Sequence, residues 1–317
     1  MDLANFPRGS KSYTSLKCFV MSDGSELSFP VIIVKGIRDG PMIYVGAGIH
    51  GDELSSISVV GALADSLDTQ RLNGTFIGVP IENPLAYRAR NRFSPSDPRA
   101  DMYDSFPGRP DGGASQVMAH TLFQNLISKA DALVDLHTAG GTDDTVPNTY
   151  FAPTNLGPAA LKSKELAEIF GADHYNEEYD GHNGYLHVYL AKRGVPAIVA
   201  ELPRDMKSAV ASGVKGVLNI MISMNMIDGE LGPRSRLLVK GPPNRPTPRV
   251  LNGGFIVYHK KIGDGLKKGD LIAEVVDIYG RHVERVESPV DGFLQTALTT
   301  PTIDPGQRIG RIALEER

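Results

Sequence analysis

The chain lacks most of the features that quickly assign a protein to a functional class. Its 317 residues hold one cysteine, Cys18, so no intrachain disulfide can form and a sulfur-based zinc site is excluded. Any metal has to be held by histidine and carboxylate. Lys and Arg total 33 against 37 Asp and Glu, a net charge of −4. That leaves no basic excess to point towards nucleic acid or an anionic membrane as partner. No apolar run approaches the roughly 18 residues of a membrane span. Met1 to Ser15 is polar and without the apolar core of a signal peptide. The expectation is a soluble, cytoplasmic protein with a small-molecule partner, with homo-oligomerisation left open.

What the chain does have is enough apolar content, 41%, to bury a substantial core, and a length that predicts two domains, 1–230 and 231–317. In the first, apolar runs alternate with helical periodicity. Strands are expected over Leu16 to Met21, Leu27 to Val34, Met42 to Val45, Thr75 to Ile81, Ala132 to Leu136, Thr149 to Ala152 and Ala197 to Glu201. Helices are expected over Leu54 to Leu67, Ala114 to Ser128, Ala159 to Phe170, Gly184 to Arg193 and Ser208 to Ile227. This is an α/β pattern, a mixed and mostly parallel sheet flanked by helices. Tyr87 to Asp111 is a long polar segment without clean periodicity, and loops of that length often carry function. Leu231 to Val250 reads as a linker or irregular strand. From Gly253 onward, short β-like runs between glycine turns predict a small all-β barrel or sandwich.

Chemistry concentrates where strands end. Gly46-Ala-Gly-Ile-His-Gly-Asp-Glu53 follows an apolar strand and opens a helix, the place where open α/β sheets bind ligands. The H-x-x-E spacing lets the imidazole of His50 and the carboxylate of Glu53 converge on one cation. The bland alternative is a solvated turn whose Asp52 or Glu53 favours the helix N-terminus. His137, in Val134-Asp-Leu-His137, ends a second apolar strand in a Gly-rich loop and is the best third ligand. Two His and one Glu leave a fourth zinc position for water, the pattern of a catalytic site. His120, His182 and His187 read as packing, structural or solvated residues.

His50-Gly-Asp-Glu53, Asn83-Pro84, Phe106-Pro107-Gly108, Val134-Asp-Leu-His137 and Ala200-Glu201-Leu202 stand in an order and spacing that resembles the succinylglutamate desuccinylase and aspartoacylase family, a branch of the zinc carboxypeptidase-like hydrolases. The resemblance covers nearly the whole chain, including the β-rich C-terminal part. It implies one Zn2+ per chain on His50, Glu53 and His137, and a hydrolase that cleaves the amide bond of a small N-acylated substrate. Glu201 then corresponds to the general base and Arg92 to the arginine facing the oxyanion. Asp101 corresponds to the carboxylate behind the first zinc histidine. Asp135, two residues before His137 and on the same strand face, would orient the site or the incoming amine. On the residues alone, Glu201 could equally be a strand-end carboxylate paired with Arg204 or Arg193, and Arg88 and Arg90 lie near Arg92.

The chain also departs from that family. Where members read Asp-Leu-Asn-Arg before Phe-Pro-Gly, and the Asn-Arg pair grips a substrate carboxylate, this sequence has Asp101-Met-Tyr-Asp104. With Tyr103 and Asp104 there, and Asn83 nearby, the expected substrate is not a standard N-acyl amino acid with a free carboxylate. A substrate that is amidated, esterified or cationic at that point fits better, with Asp104 as counter-ion. An arginine from the Tyr87 to Arg109 loop could otherwise substitute for the clamp. A carboxypeptidase-like peptidase and an inactive small-ligand-binding relative are the alternatives. Gly263 to Asp270 and Ser288-Pro-Val-Asp-Gly resemble lipoyl and biotinyl carriers, but Arg281 stands at the modified-lysine position, so a carrier role is not expected.

Overall fold

The computed structural model describes residues 1–178, 184–239 and 247–314. In chain order the N-terminal portion runs β1 (Ser10–Val20), β2 (Glu26–Lys35), β3 (Arg38–Ala47), α1 (Ser55–Ser66), β4 (Asn73–Val79), α2 (Pro84–Ala89), α3 (Ala114–Asn125) and β5 (Ala132–Thr138). It continues with β6 (Asp143–Thr145), β7 (Asn148–Phe151), α4 (Pro158–Phe170), β8 (His174–Glu177), α5 (Leu186–Lys192), β9 (Ala197–Leu202), α6 (Met206–Ser223) and β10 (Leu237–Val239). Nine of these strands form one sheet in the order β1-β2-β4-β3-β5-β9-β7-β8-β10. Its centre, β4-β3-β5-β9, is parallel, while the β1-β2 hairpin and the β7-β9 pair are antiparallel.

Strand alternation sorts the side chains. Val134 and Leu136 of β5 and Ile198 and Ala200 of β9 pack under α1, α4 and α6 with Val59, Leu63, Leu166, Val217 and Ile220. Leu133, Ala197 and Val199 face the other way, against Met118 and Leu122 of α3 and Leu186 and Leu190 of α5. That second face also carries Asp135, His137 and Glu201, because they lie two and four residues along the same strands.

The sequence reading missed β6 and β8, both short; β10 lies inside the segment read as a linker or irregular strand. The Tyr87 to Asp111 segment is also less irregular than expected, since the end of α2 and a single turn of 3-10 helix at Met102–Ser105 fall within it. His182 lies outside the described residues.

The C-terminal portion comprises β11 (Gly254–Tyr258), β12 (Gly265–Leu266), β13 (Leu271–Val276), β14 (His282–Glu287), β15 (Gly292–Leu298), β16 (Thr302–Ile303) and β17 (Gly310–Ala313). These form two antiparallel sheets, β14-β13-β11-β16 and β12-β15-β17, around Ile272, Val275, Val286, Leu294 and Ile312. Arg281 sits exposed on the β13-β14 turn, where it pairs with Asp277 at 2.7 Å. The second sheet is extended by β6, which pairs with β15 and ties the sandwich to the N-terminal portion. Arg308 to Asp143 at 2.7 Å and Gln295 to His174 at 2.9 Å reinforce that junction.

Candidate metal centre and catalytic site

His50 and Glu53 occupy the loop between β3 and α1. Gly48 has φ +64°, a conformation open to glycine, which turns the chain away from β3. A Cβ on Gly51 would lie 2.0 Å from the Ala86 carbonyl, so only glycine lets the loop press this closely against α2. His137 arrives from the end of β5, next in register to β3. Ligand atoms of His50, Glu53 and His137 all lie within 4.8 Å of one another, and all three residues are buried. Glu53 Oε1 is 2.6 Å from His50 Nδ1, and Glu53 Oε2 is 3.0 Å from His137 Nδ1.

This donor set fits a divalent cation. Burial opposes ionisation of Glu53, but the two imidazoles outweigh it and hold its carboxyl far below the usual range. Burial likewise opposes the charged imidazoles; Glu53 with Asp101 outweighs it at His50, and Asp135 with Glu53 outweighs it at His137, so both are raised. A cation that displaces those protons would meet one anion and two Nδ1 donors already converged. Behind each imidazole stands a carboxylate. Asp101 Oδ1 lies 3.2 Å from His50 Nε2, and Asp135 Oδ2 lies 3.2 Å from His137 Nε2, the latter without good hydrogen-bond angles. Such partners fix the tautomer and raise ligand basicity.

Arg92 reaches the same cluster. Its guanidinium is 3.3 Å from Glu53 Oε1 and 3.1 Å from Asp101 Oδ2, with the side chain 41% exposed towards the cavity. Burial opposes ionisation of Asp101, but His50 and Arg92 hold its carboxyl down to about 2. Glu201 sits beside His137 in the β5-β9 register. The residue is half-buried, its enclosed Oε2 has no hydrogen-bond partner among the described residues, and desolvation followed by the nearby Glu53 raises its pKa. A carboxylate kept short of partners and raised in pKa suits proton transfer.

One neighbour of the centre went unforeseen. Gly46, opposite Asp135 in register, leaves a space that the Glu82 carboxyl fills; a Cβ there would lie 2.2 Å from Glu82 Oε1. Tyr44 donates to Glu82 at 2.5 Å. Burial and then the Asp135 charge push the Glu82 pKa well up, which favours its neutral acid.

The ligands, Arg92, Asp101, Tyr103 and Glu201 all open onto one cavity of about 570 Å3, a volume suited to a small molecule. Tyr103 is buried, and its hydroxyl lies 2.7 Å from Nδ1 of the buried His187. Asp104 is exposed and does not line the cavity. Asn83 is buried away from it, where its side chain caps α2 by accepting from Ala86 N at 3.1 Å. Of the arginines in the Tyr87 to Arg109 loop, Arg92 alone lines the cavity. The remaining wall includes Asp143, Tyr150, Glu178 and Tyr185, together with Gln295, Thr296, Arg308 and Arg311 of the sandwich. No sequence signal marked that second set, because it depends on how the sandwich folds back.

Residues 39–211 match the model of the Succinylglutamate desuccinylase/Aspartoacylase catalytic domain. The chain belongs to that family. Its members are deacylases, so this member of the deacylase family is an enzyme by kinship. It is 27% identical over 309 residues to the N-alpha-acetyl-L-2,4-diaminobutyric acid deacetylase of Halomonas elongata, a match spanning 94% of this chain and 90% of that protein. Two solved structures share the fold. Product-bound ectoine utilization protein EutE (DoeB) from Ruegeria pomeroyi has a TM-score of 0.86 at 23% identity, covering 98% of both chains. A succinylglutamate desuccinylase/aspartoacylase from Rhodobacter sphaeroides has a TM-score of 0.85 at 22% identity, covering 100% of this chain and 98% of that one. Among the described residues no helix is long and apolar enough to cross a membrane.

Proposed function

We propose that the protein is a zinc-dependent deacylase that hydrolyses the amide bond of a small N-acylated amino acid. The observation that carries this reading is the convergence of His50, Glu53 and His137 within 4.8 Å on the wall of a cavity that Glu201 also lines. When bound, zinc lowers the pKa of water and polarises the acyl carbonyl. Glu201 takes the proton from the attacking water and delivers it to the leaving nitrogen. Arg92 aims its guanidinium where negative charge develops on the carbonyl oxygen, and its contacts with Glu53 and Asp101 hold it there in advance. Tyr103, held by His187, forms a rigid side of the pocket.

The Halomonas relative makes Nα-acetyl-L-2,4-diaminobutyrate the first compound to assay, followed by a panel of other N-acetyl and N-succinyl amino acids. Hydrolysis that disappears on chelation and returns with stoichiometric zinc is the expected result. Full activity in the chelated, metal-free protein would overturn the metal reading, and no turnover across the panel would overturn the deacylase reading.

A further inference from the structure

We propose that Arg311, supplied by the C-terminal sandwich, recognises the free carboxylate of the substrate. The proposal rests on the deacylase reading and names a specificity residue for it. Among the described residues, three guanidinium groups line the cavity, those of Arg92, Arg308 and Arg311. Arg92 is held by Glu53 and Asp101, and Arg308 by Asp143 at 2.7 Å. The side chain of Arg311 has no ion pair or hydrogen bond within the described residues.

Its backbone is nonetheless fixed. Arg311 lies on β17 between the buried Gly310 and Ile312, opposite Thr296 of β15, and its N–H donates to Thr296 Oγ1 at 3.0 Å. The strand therefore turns the Arg311 side chain off the sandwich core, and Thr296 lines the same cavity. The guanidinium is near enough to Glu201 for its charge to pull down that carboxyl's pKa. It thus faces the same space as the reacting centre without touching the metal ligands.

The chemistry of the partner follows from charge. One unengaged guanidinium matches one carboxylate, which it can hold by two parallel N–H···O bonds. Asp52, Glu178 and Glu201 line the same cavity and disfavour an anion of higher charge. The loop position that reads Tyr103-Asp104 cannot do this work, since the phenol is engaged by His187 and Asp104 lies outside the cavity. The expectation of a substrate without a free carboxylate came from that loop alone. A guanidinium reaching in from the other portion of the chain reverses it.

The test compares N-acetyl-L-amino acids, each with its own primary carboxamide, in the zinc-loaded wild type, Arg311→Ala and Arg311→Lys. Wild type should prefer the acid, and Arg311→Ala should cut the acid-to-amide ratio of kcat/KM by roughly tenfold to a hundredfold, the loss typical of a charge-assisted bond. Arg311→Lys should keep part of the preference. A wild type that favours the amide, or an unchanged ratio in Arg311→Ala, overturns the proposal. Should no pair be hydrolysed, the deacylase reading fails, and calorimetric titration of the same pairs into wild type and Arg311→Ala decides the inference separately. Tighter binding of the acid that is lost in Arg311→Ala sustains it; equal affinities, or no binding, overturn it.

Discussion

Replacing Glu201 with Gln tests the catalytic assignment most directly, because the exchange preserves volume and removes only the basic oxygen. Glu201 Oε2 is buried without a hydrogen-bond partner among the described residues, so no structural contact of that atom is lost. General base catalysis contributes about 10²- to 10⁴-fold, or about 3–5 kcal/mol of barrier, and kcat should fall by that factor with KM little changed. Zinc content should stay at one per chain, since His50, Glu53 and His137 are untouched.

Stability supplies a second readout with a definite sign. The folded-state pKa of Glu201 is raised by burial and then by Glu53, so the folded protein holds that proton more tightly than the unfolded chain. Stability from this group is present below the unfolded carboxyl value, near about 4.3, and is lost as pH rises through the folded value. Metal-free Glu201→Gln should therefore melt above metal-free wild type at neutral pH, with the gap closing towards about pH 4. Turnover assays, zinc analysis and thermal melts in chelator from pH 4 to 8 measure all three effects. A kcat loss below about tenfold with zinc retained would refute the role of Glu201 as base.

Other substitutions probe the supporting structure. His137→Ala should abolish stoichiometric zinc, and Asp101→Asn should weaken zinc affinity by about 10- to 100-fold with the ligands intact; competition with a chromogenic chelator reads both. Glu82→Gln should cost less than about 1 kcal/mol, because an amide can accept from Tyr44 as the neutral acid does, whereas Glu82→Leu strands that hydroxyl and should cost about 1–3 kcal/mol in urea unfolding. Equal losses for the two would mean that Glu82 is held as an anion. Gly51→Ala should destabilise by about 1–3 kcal/mol and loosen the metal loop, since its Cβ would sit 2.0 Å from the Ala86 carbonyl.

Much of the site was legible along the chain because each part closes a strand. His50, Glu53, His137 and Glu201 all follow apolar runs, and parallel neighbours in one sheet deliver their ends to one edge. Asp135 was legible from strand parity, and Asp101 and Arg92 from spacing within a resembled motif. The structure brings all seven onto or against one cluster. Tyr103 joins them through His187, a contact across 84 residues that no local pattern encodes. Asn83 and Asp104 fall elsewhere, one to a helix cap and the other to the surface, because residues near a motif in sequence need not share its direction in space. A three-residue strand such as β6 was invisible because so short a run has no measurable period; its pairing partner defines it.

The sequence by itself determined the donor chemistry. With one cysteine, and with histidines and acids placed at strand ends, it limited any metal to nitrogen and oxygen ligands and settled which strand faces would carry them, since alternation along a strand is a local property. The tertiary structure alone decided which charges are spent on one another and which remain for a ligand. Arg308 is neutralised by Asp143 across 165 residues, while Arg311, three positions later, turns into the cavity without such a partner among the described residues. Coulombic pairing depends on distance in space, and the distances between the sandwich and the catalytic sheet exist only once β6 and β15 have joined.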